Sequence, residues 1–115
     1  ACDVYAMPSR DVPGMPPEGL GLVYLEANAA GKPVVAGRTG GVKDAVAHGV
    51  SGLLVDPEDT QGLAAALGRI LSDRGLAHRL GSQGRTRVLA EFTWRRVAER
   101  FLDALGEVAT AAPPR

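Results

Sequence analysis

Three short apolar runs, each followed by a break and then by helix-favouring sequence, most constrain how this chain can fold. They are DVYAM at residues 3–7, KPVVA at 32–36 and GLLV at 52–55. Each is too short for a helix and is followed by Pro8, by GRTGG or by Asp56-Pro57, so all three read as buried strands. Short apolar strands alternating with helices imply a parallel sheet covered by helices, the doubly wound α/β class. In that class ligands bind beyond the carboxyl ends of the strands, where the chain turns into a helix. Both glycine-rich segments, around Gly19-Leu20-Gly21 and around Gly40-Gly41, fall at such handovers and point to one crevice.

Between the strands, residues 20–30 (LGLVYLEANAA) are helix-favouring and stop at Gly31, with Pro33 just beyond. Residues 42–47 read as a short helix. Residues 58–71 carry Leu63, Ala66, Leu67, Ile70 and Leu71 at helical spacing. Helices are expected over 76–91 and 93–108; in the second, Val97, Phe101, Leu102 and Leu105 form one stripe, with Arg95, Arg96, Glu99, Arg100 and Asp103 around it. Residues 9–17 (SRDVPGMPP) hold three prolines and a glycine and read as a long exposed loop. Tyr24 and Leu25 read as core, and His48 and His78 as structural. Arg85, Arg87, Arg95, Arg96 and Arg100, interleaved with Glu91, Glu99 and Asp103, read as a solvated face. From Ala109 onward the sequence loses apolar period and reads as a flexible tail.

The 115 residues suit one core. Lys plus Arg and Asp plus Glu each number 13, so the total charge makes no case for nucleic acid. Cys2 is the lone cysteine, which fits a reducing compartment and makes the cytoplasm the expected location. The longest apolar runs fall short of the roughly 20 residues of a membrane span. No metal site or cofactor is expected, because neither histidine has a ligating neighbour at metal or triad spacing. The chain opens directly on a strand-like run without methionine, so it reads as part of a longer protein.

The stretch PPEGLGLVYLEANAAGKP places Glu18 and Glu26 eight positions apart. A helix starting near Leu20 would offer unpaired N–H groups and a partial positive charge to a phosphate, with Gly19 and Gly21 allowing close approach. Eight residues of helix span about 12 Å. Two carboxylates so spaced would flank the anion site and accept hydrogen bonds from hydroxyl pairs on either side of a diphosphate, the layout of a nucleotide sugar. An acid in a first turn is also favourable in any helix, by about 0.3–1 kcal/mol. On spacing alone, a solvated helix face is the plainer reading of Glu26.

The longer string PSR…EGLGLVYLEANAAGKPVVAGRTGGVKDAVAHGVSGLLVDPEDTQGLAAAL resembles the donor-binding, C-terminal domain of retaining glycosyltransferases of the GT-B fold, among the group 1 glycosyl transferases. Glu18 and Glu26 match that family's E-x7-E motif. EGLGLVYLEA is most similar to mannosyltransferases acting on phosphatidylinositol or related lipids, although DVPGMPP makes a longer loop before the first Glu than familiar members have. The resemblance implies a Rossmann-like parallel sheet over residues 1–108, a tail at 109–115, and transfer of a hexose with retention from GDP-mannose or a UDP- or GDP-hexose.

It also implies roles for residues. Glu18 would sit by the donor sugar and its leaving phosphate, and Glu26 would bind the ribose. The backbone of Gly19, Leu20, Gly21, Leu22 and Val23 would hold sugar hydroxyls and the distal phosphate. Arg10, Arg38, Gly40, Gly41 and Lys43 line the crevice by topology, with a packing turn or an exposed base as the plain alternative for each. A lipid or glycan acceptor would be held through an N-terminal domain, which would also bring the full enzyme to the inner membrane face. That domain and the family's Arg and Lys lie upstream, so this chain would be inactive alone. The resemblance gives Trp94 and Phe101 a packing role toward that domain. A non-catalytic nucleotide-binding module and a nucleotide-sugar epimerase of the same architecture remain the alternatives.

Overall fold

A computed structural model describes residues 2–10, 13–14 and 21–111, with side chains through residue 107. Its elements run β1 (Tyr5–Met7), α1 (Leu22–Ala29), β2 (Val34–Gly37), α2 (Val42–Ala45), β3 (Gly52–Val55), α3 (Thr60–Ser72), α4 (Arg74–Glu91) and α5 (Trp94–Ala111). The three strands form one sheet in the order β1-β2-β3, and both pairings are parallel. Ala6 lies opposite Val35, and Val35 opposite Leu53. The α/β class expected from the strand and helix alternation is therefore the one observed.

Alternate residues of a strand face opposite sides, and here the two sides build two cores. Val34, Ala36 and Leu54 pack with Tyr24 and Leu25 of α1 and with Val42 and Ala45 of α2. Val35, Leu53 and Val55 pack with Ala66 and Ile70 of α3 and with Leu76 and Leu80 of α4. α4 serves both cores, since Val88 near its other end joins the α1 side. Burial on both faces is why β2 and β3 read as continuous apolar runs. β1, expected to be buried as well, is not: it ends the sheet order, with Ala6 exposed and Tyr5 and Met7 only partly covered.

Local signals fix most boundaries. Asp59 accepts from the Gly62 amide and Asp73 from the Leu76 amide, each at 3.0 Å, which caps α3 and α4 at their N-termini. α1 closes with Gly31 at φ 76°, the Lys32 amide donating to the Ala27 carbonyl and the Gly31 amide to that of Asn28.

Four further expectations need adjustment. α1 begins at Leu22 rather than Leu20, because Gly21 is left-handed and cannot be a helical residue. α2 ends at Ala45, where Val46 turns extended. Leu71 and the α5 stripe are exposed although both fit helical spacing. Finally, α5 continues to Ala111, into the stretch expected to lose structure at Ala109. The proline-rich loop lies largely outside the described residues.

Candidate functional site: the carboxyl end of the sheet

The carboxyl ends of β1, β2 and β3 lead respectively into Pro8-Ser9-Arg10, Arg38-Thr39-Gly40-Gly41 and Asp56-Pro57-Glu58. The parallel register brings these exits to one edge, and hydrogen bonding ties them together. The Arg38 amide donates to the Val55 carbonyl at 2.9 Å, and Arg10 reaches Glu58 at 3.8 Å between two exposed side chains. α1 is fastened over the same edge by Tyr24, whose hydroxyl donates to the Met7 carbonyl at 2.5 Å. Arg10, Arg38, Gly40 and Gly41 thus share this end of the molecule with the first turn of α1. Lys43 is exposed on α2, just past the Gly40-Gly41 turn.

Gly21 sits at the N-cap of α1 with φ 75° and ψ 61°. The position demands glycine twice over: the angle is left-handed, and an added Cβ would lie 2.7 Å from the Tyr24 ring. No side chain among the described residues caps this terminus. The first-turn amides of Leu22 and Val23 are therefore positioned to meet an anion. Leu22 is 64% exposed and Val23 packs partly against the core, so any ligand contact from either is a backbone contact. Glu18, Gly19 and Leu20 lie outside the described residues.

Glu26 is exposed at the start of the second turn of α1, one turn along rather than two, about 6 Å from Leu22 along the helix axis. It borders two hollows. One, of about 530 Å³, is shared with Tyr5, Val23 and Lys32; the other, of about 320 Å³, is more apolar and is shared with Leu25, Phe92 and Trp94. The carboxylate thus stands on the flank of α1, away from the edge that holds Arg10 and Arg38. An anion at the Gly21 end and hydroxyl groups at Glu26 would be served by successive turns of one helix.

Three contributors were missed in the sequence. Thr39 is 8% exposed, and its Oγ1 is buried with no hydrogen-bond partner among the described residues, which for a hydroxyl costs about 1–3 kcal/mol. Its position inside GRTGG was the available signal. Asn28, fully buried, donates from Nδ2 to the Lys32 and Ser51 carbonyls at 2.9 and 3.1 Å and so locks the end of α1 to the start of β3. An amide within an otherwise apolar helix was its signal.

The third is Arg87, expected on a solvated face. Its Nη1 and Nη2 donate to the Ala45 and Asp44 carbonyls, both at 2.7 Å, so it closes the end of α2. Arg85 treats α1 likewise, donating from Nη1 to the Ala29 carbonyl at 2.6 Å. The solvated reading therefore fails for Arg87, whose side chain is 20% exposed, whereas Arg85 is exposed as expected while making its bond. Both bind the free carbonyls that every helix C-terminus leaves over. Nothing in their sequence spacing marks such long-range partners.

His48 is structural as expected, its Nδ1 accepting from the Leu54 amide at 2.9 Å. Tyr24 and Leu25 are core. Among the described residues no group of three or more His, Cys, Asp or Glu side chains is placed to hold a metal, and no helix is long and apolar enough to cross a membrane.

A parallel sheet with an uncapped, glycine-led helix at its carboxyl edge is the architecture of nucleotide-binding α/β proteins. The family model for glycosyl transferases group 1 matches residues 1–87, and the chain belongs to that family. It is 44% identical over 104 residues to a GDP-mannose-dependent alpha-(1-6)-phosphatidylinositol monomannoside mannosyltransferase of Mycobacterium tuberculosis, an alignment covering 90% of the chain and 27% of the relative. It is 42% identical over 115 residues to a D-inositol 3-phosphate glycosyltransferase of Salinispora arenicola, covering 100% and 24%.

Among solved structures, sucrose-phosphate synthase from Thermosynechococcus elongatus superposes with a TM-score of 0.79 at 38% identity, over 96% of this chain and 26% of that one. Anabaena HepE in complex with UDP does so with a TM-score of 0.80 at 30% identity, over 92% and 28%. The chain spans about a quarter of the length of these relatives.

Proposed function

We propose that this chain is the donor-binding part of a longer, retaining hexosyltransferase. Residues 1–108 would form part of the nucleotide-sugar domain, and the chain alone would be inactive. The observation that carries the reading is the uncapped N-terminus of α1 at Gly21, set at the carboxyl edge of the sheet in a chain of this family. Its diphosphate would lie on the amides of Gly19, Leu20, Gly21, Leu22 and Val23. The ribose hydroxyls would be accepted by Glu26, one turn along the same helix. Glu18 would stand by the donor sugar. Arg10, Arg38, Gly40, Gly41 and Lys43 would form the wall where sugar and acceptor meet.

The relatives' names support GDP-mannose or another nucleotide hexose as donor, and the Anabaena structures were solved with UDP and with UDP-glucose. The mycobacterial name supports a phosphatidylinositol monomannoside or similar lipid as acceptor. An N-terminal domain would hold it at the cytoplasmic face of the inner membrane. In the transfer step the acceptor oxygen bonds to the anomeric carbon on the face from which the diphosphate leaves. The carbon–oxygen bond to the diphosphate breaks, and the acceptor proton passes to that leaving group. Preorganised dipoles and cations stabilise the charge developing there.

The test is calorimetric titration of GDP, UDP and ADP, with their mannose and glucose derivatives, into the full-length protein. Binding of one nucleotide and its sugar derivative is expected. Binding by none of them would remove the donor-site reading, and nucleotide binding without transfer to any acceptor would favour a non-catalytic module.

A further inference from the structure

Arg87 lies on α4, a helix that carries no residue assigned to the crevice, yet its guanidinium reaches α2 and is held by four partners at once. Besides the two carbonyls of α2, it lies 3.7 Å from Glu91 and 5.0 Å above the Phe92 ring, and its side chain is only 20% exposed. Each contact fixes a different side of the planar group, so the fork is held before it meets α2. α2 is a single turn, too short to be stable by itself. Its position therefore depends on what closes its ends.

What α2 carries at its other end is the Thr39–Gly41 turn. The Val42 amide donates to the Thr39 carbonyl at 3.1 Å and the Asp44 amide to the Gly41 carbonyl at 3.0 Å, so the turn and the helix are one hydrogen-bonded unit. Thr39 brings to the carboxyl edge of the sheet a buried hydroxyl with no partner among the described residues. A buried polar group of that kind calls for a partner, and the edge where it lies is where ligands of this fold class bind.

We propose that Arg87 is a positioning residue: it locks α2, and through α2 sets the Thr39–Gly41 turn so that the Thr39 hydroxyl bonds to the donor. The proposal rests on the donor-site reading above. Arg87 touches no ligand in it. Because the turn holds the donor before and during transfer alike, loss of the lock weakens donor binding and leaves the rate of the bound complex largely intact.

The experiment compares the full-length wild type with Arg87→Met, Arg87→Lys, Thr39→Val and Glu91→Gln, by donor kinetics and by amide hydrogen exchange. Arg87→Met is expected to raise the donor KM about five- to tenfold with kcat within about twofold, and Thr39→Val to do the same. Arg87→Lys, which keeps the charge and one carbonyl bond, should recover part of the KM. Glu91→Gln, which keeps both carbonyl bonds and loses only the charge beside the fork, should raise the donor KM by less than Arg87→Lys does, with kcat unchanged. Exchange of the Val42, Asp44 and Val46 amides should quicken about tenfold or more in Arg87→Met, while amides in the middle of α3 keep the wild-type rate.

Faster exchange around α2 with an unchanged donor KM overturns the proposal while leaving the donor site standing, as does unchanged exchange. Equal quickening across α3 as well means that Arg87 serves global stability only, and also overturns it. A wild type that binds no nucleotide sugar overturns the underlying donor-site reading itself, and the exchange result then still tells whether Arg87 holds α2.

Discussion

α4 and α5 are neighbouring helices of 18 residues each, and they exchange the roles their sequences suggest. α5 has the clean apolar stripe, yet Trp94 is 87% exposed and Phe101 62%. α4 has no such stripe and is the helix that packs on both cores. Of its buried residues, Leu76, Leu80, Gly84 and Val88 form a ridge of every fourth residue that passes through glycine, with Gly81 beside it. An added Cβ on Gly84 would lie 2.5 Å from the Asn28 amide nitrogen, and one on Gly81 would fall on the Gly31 carbonyl oxygen. α4 thus approaches the end of α1 backbone to side chain. An apolar stripe shows which face needs cover, whereas small residues on a ridge show where cover has been found.

Breaking the α4 side should cost most. Leu80→Ala removes a fully buried side chain facing β2 and β3 and should destabilise by about 2–5 kcal/mol in denaturant unfolding. Gly81→Ala would ordinarily favour a helix by about 1 kcal/mol. Here it forces α4 off α1, and a net loss of about 1–3 kcal/mol is expected from overpacking. A gain in stability on that change would show that the helices are not in contact. At the other extreme, Phe101→Ser in α5 should move the unfolding free energy of this chain by less than about 0.5 kcal/mol, as surface changes do. A cost of 2 kcal/mol or more would mean that the stripe is covered.

The same contrast explains what could be read in the sequence. The positions of β2 and β3 were legible because burial on both faces makes each an unbroken apolar run, and GLLV matched β3 residue for residue; β1 was found by its β-favouring run although Ala6 in it is exposed. The stop of α1 was legible because a glycine takes the left-handed angle at Gly31, whereas the Asp59 cap was not read and α3 begins at Thr60 rather than at residue 58. The start of α1 was placed two residues early because Gly21 reads as a tolerated helical glycine, while in the fold it takes a left-handed angle with the Tyr24 ring where a Cβ would lie. Arg87 was misread because its partner carbonyls lie 42 and 43 residues away in the chain. The Thr39 hydroxyl becomes conspicuous only once its surroundings are known to offer no partner. Motif spacing, by contrast, singled out Glu26, and the fold places it on the same short helix as the uncapped Gly21 end.

The donor-site account is tested most directly by comparing Glu18→Gln and Glu26→Ala in the full-length protein, with nucleotide Kd and transfer rate measured on the same preparations. Glu18→Gln is expected to lower kcat by about 100-fold or more while nucleotide Kd stays within about threefold, since its partner is the reacting sugar. Glu26→Ala is expected to weaken nucleotide Kd by about 10- to 100-fold, the loss of hydrogen bonds to a charged group. Wild-type nucleotide affinity in Glu26→Ala together with wild-type turnover in Glu18→Gln would contradict the account.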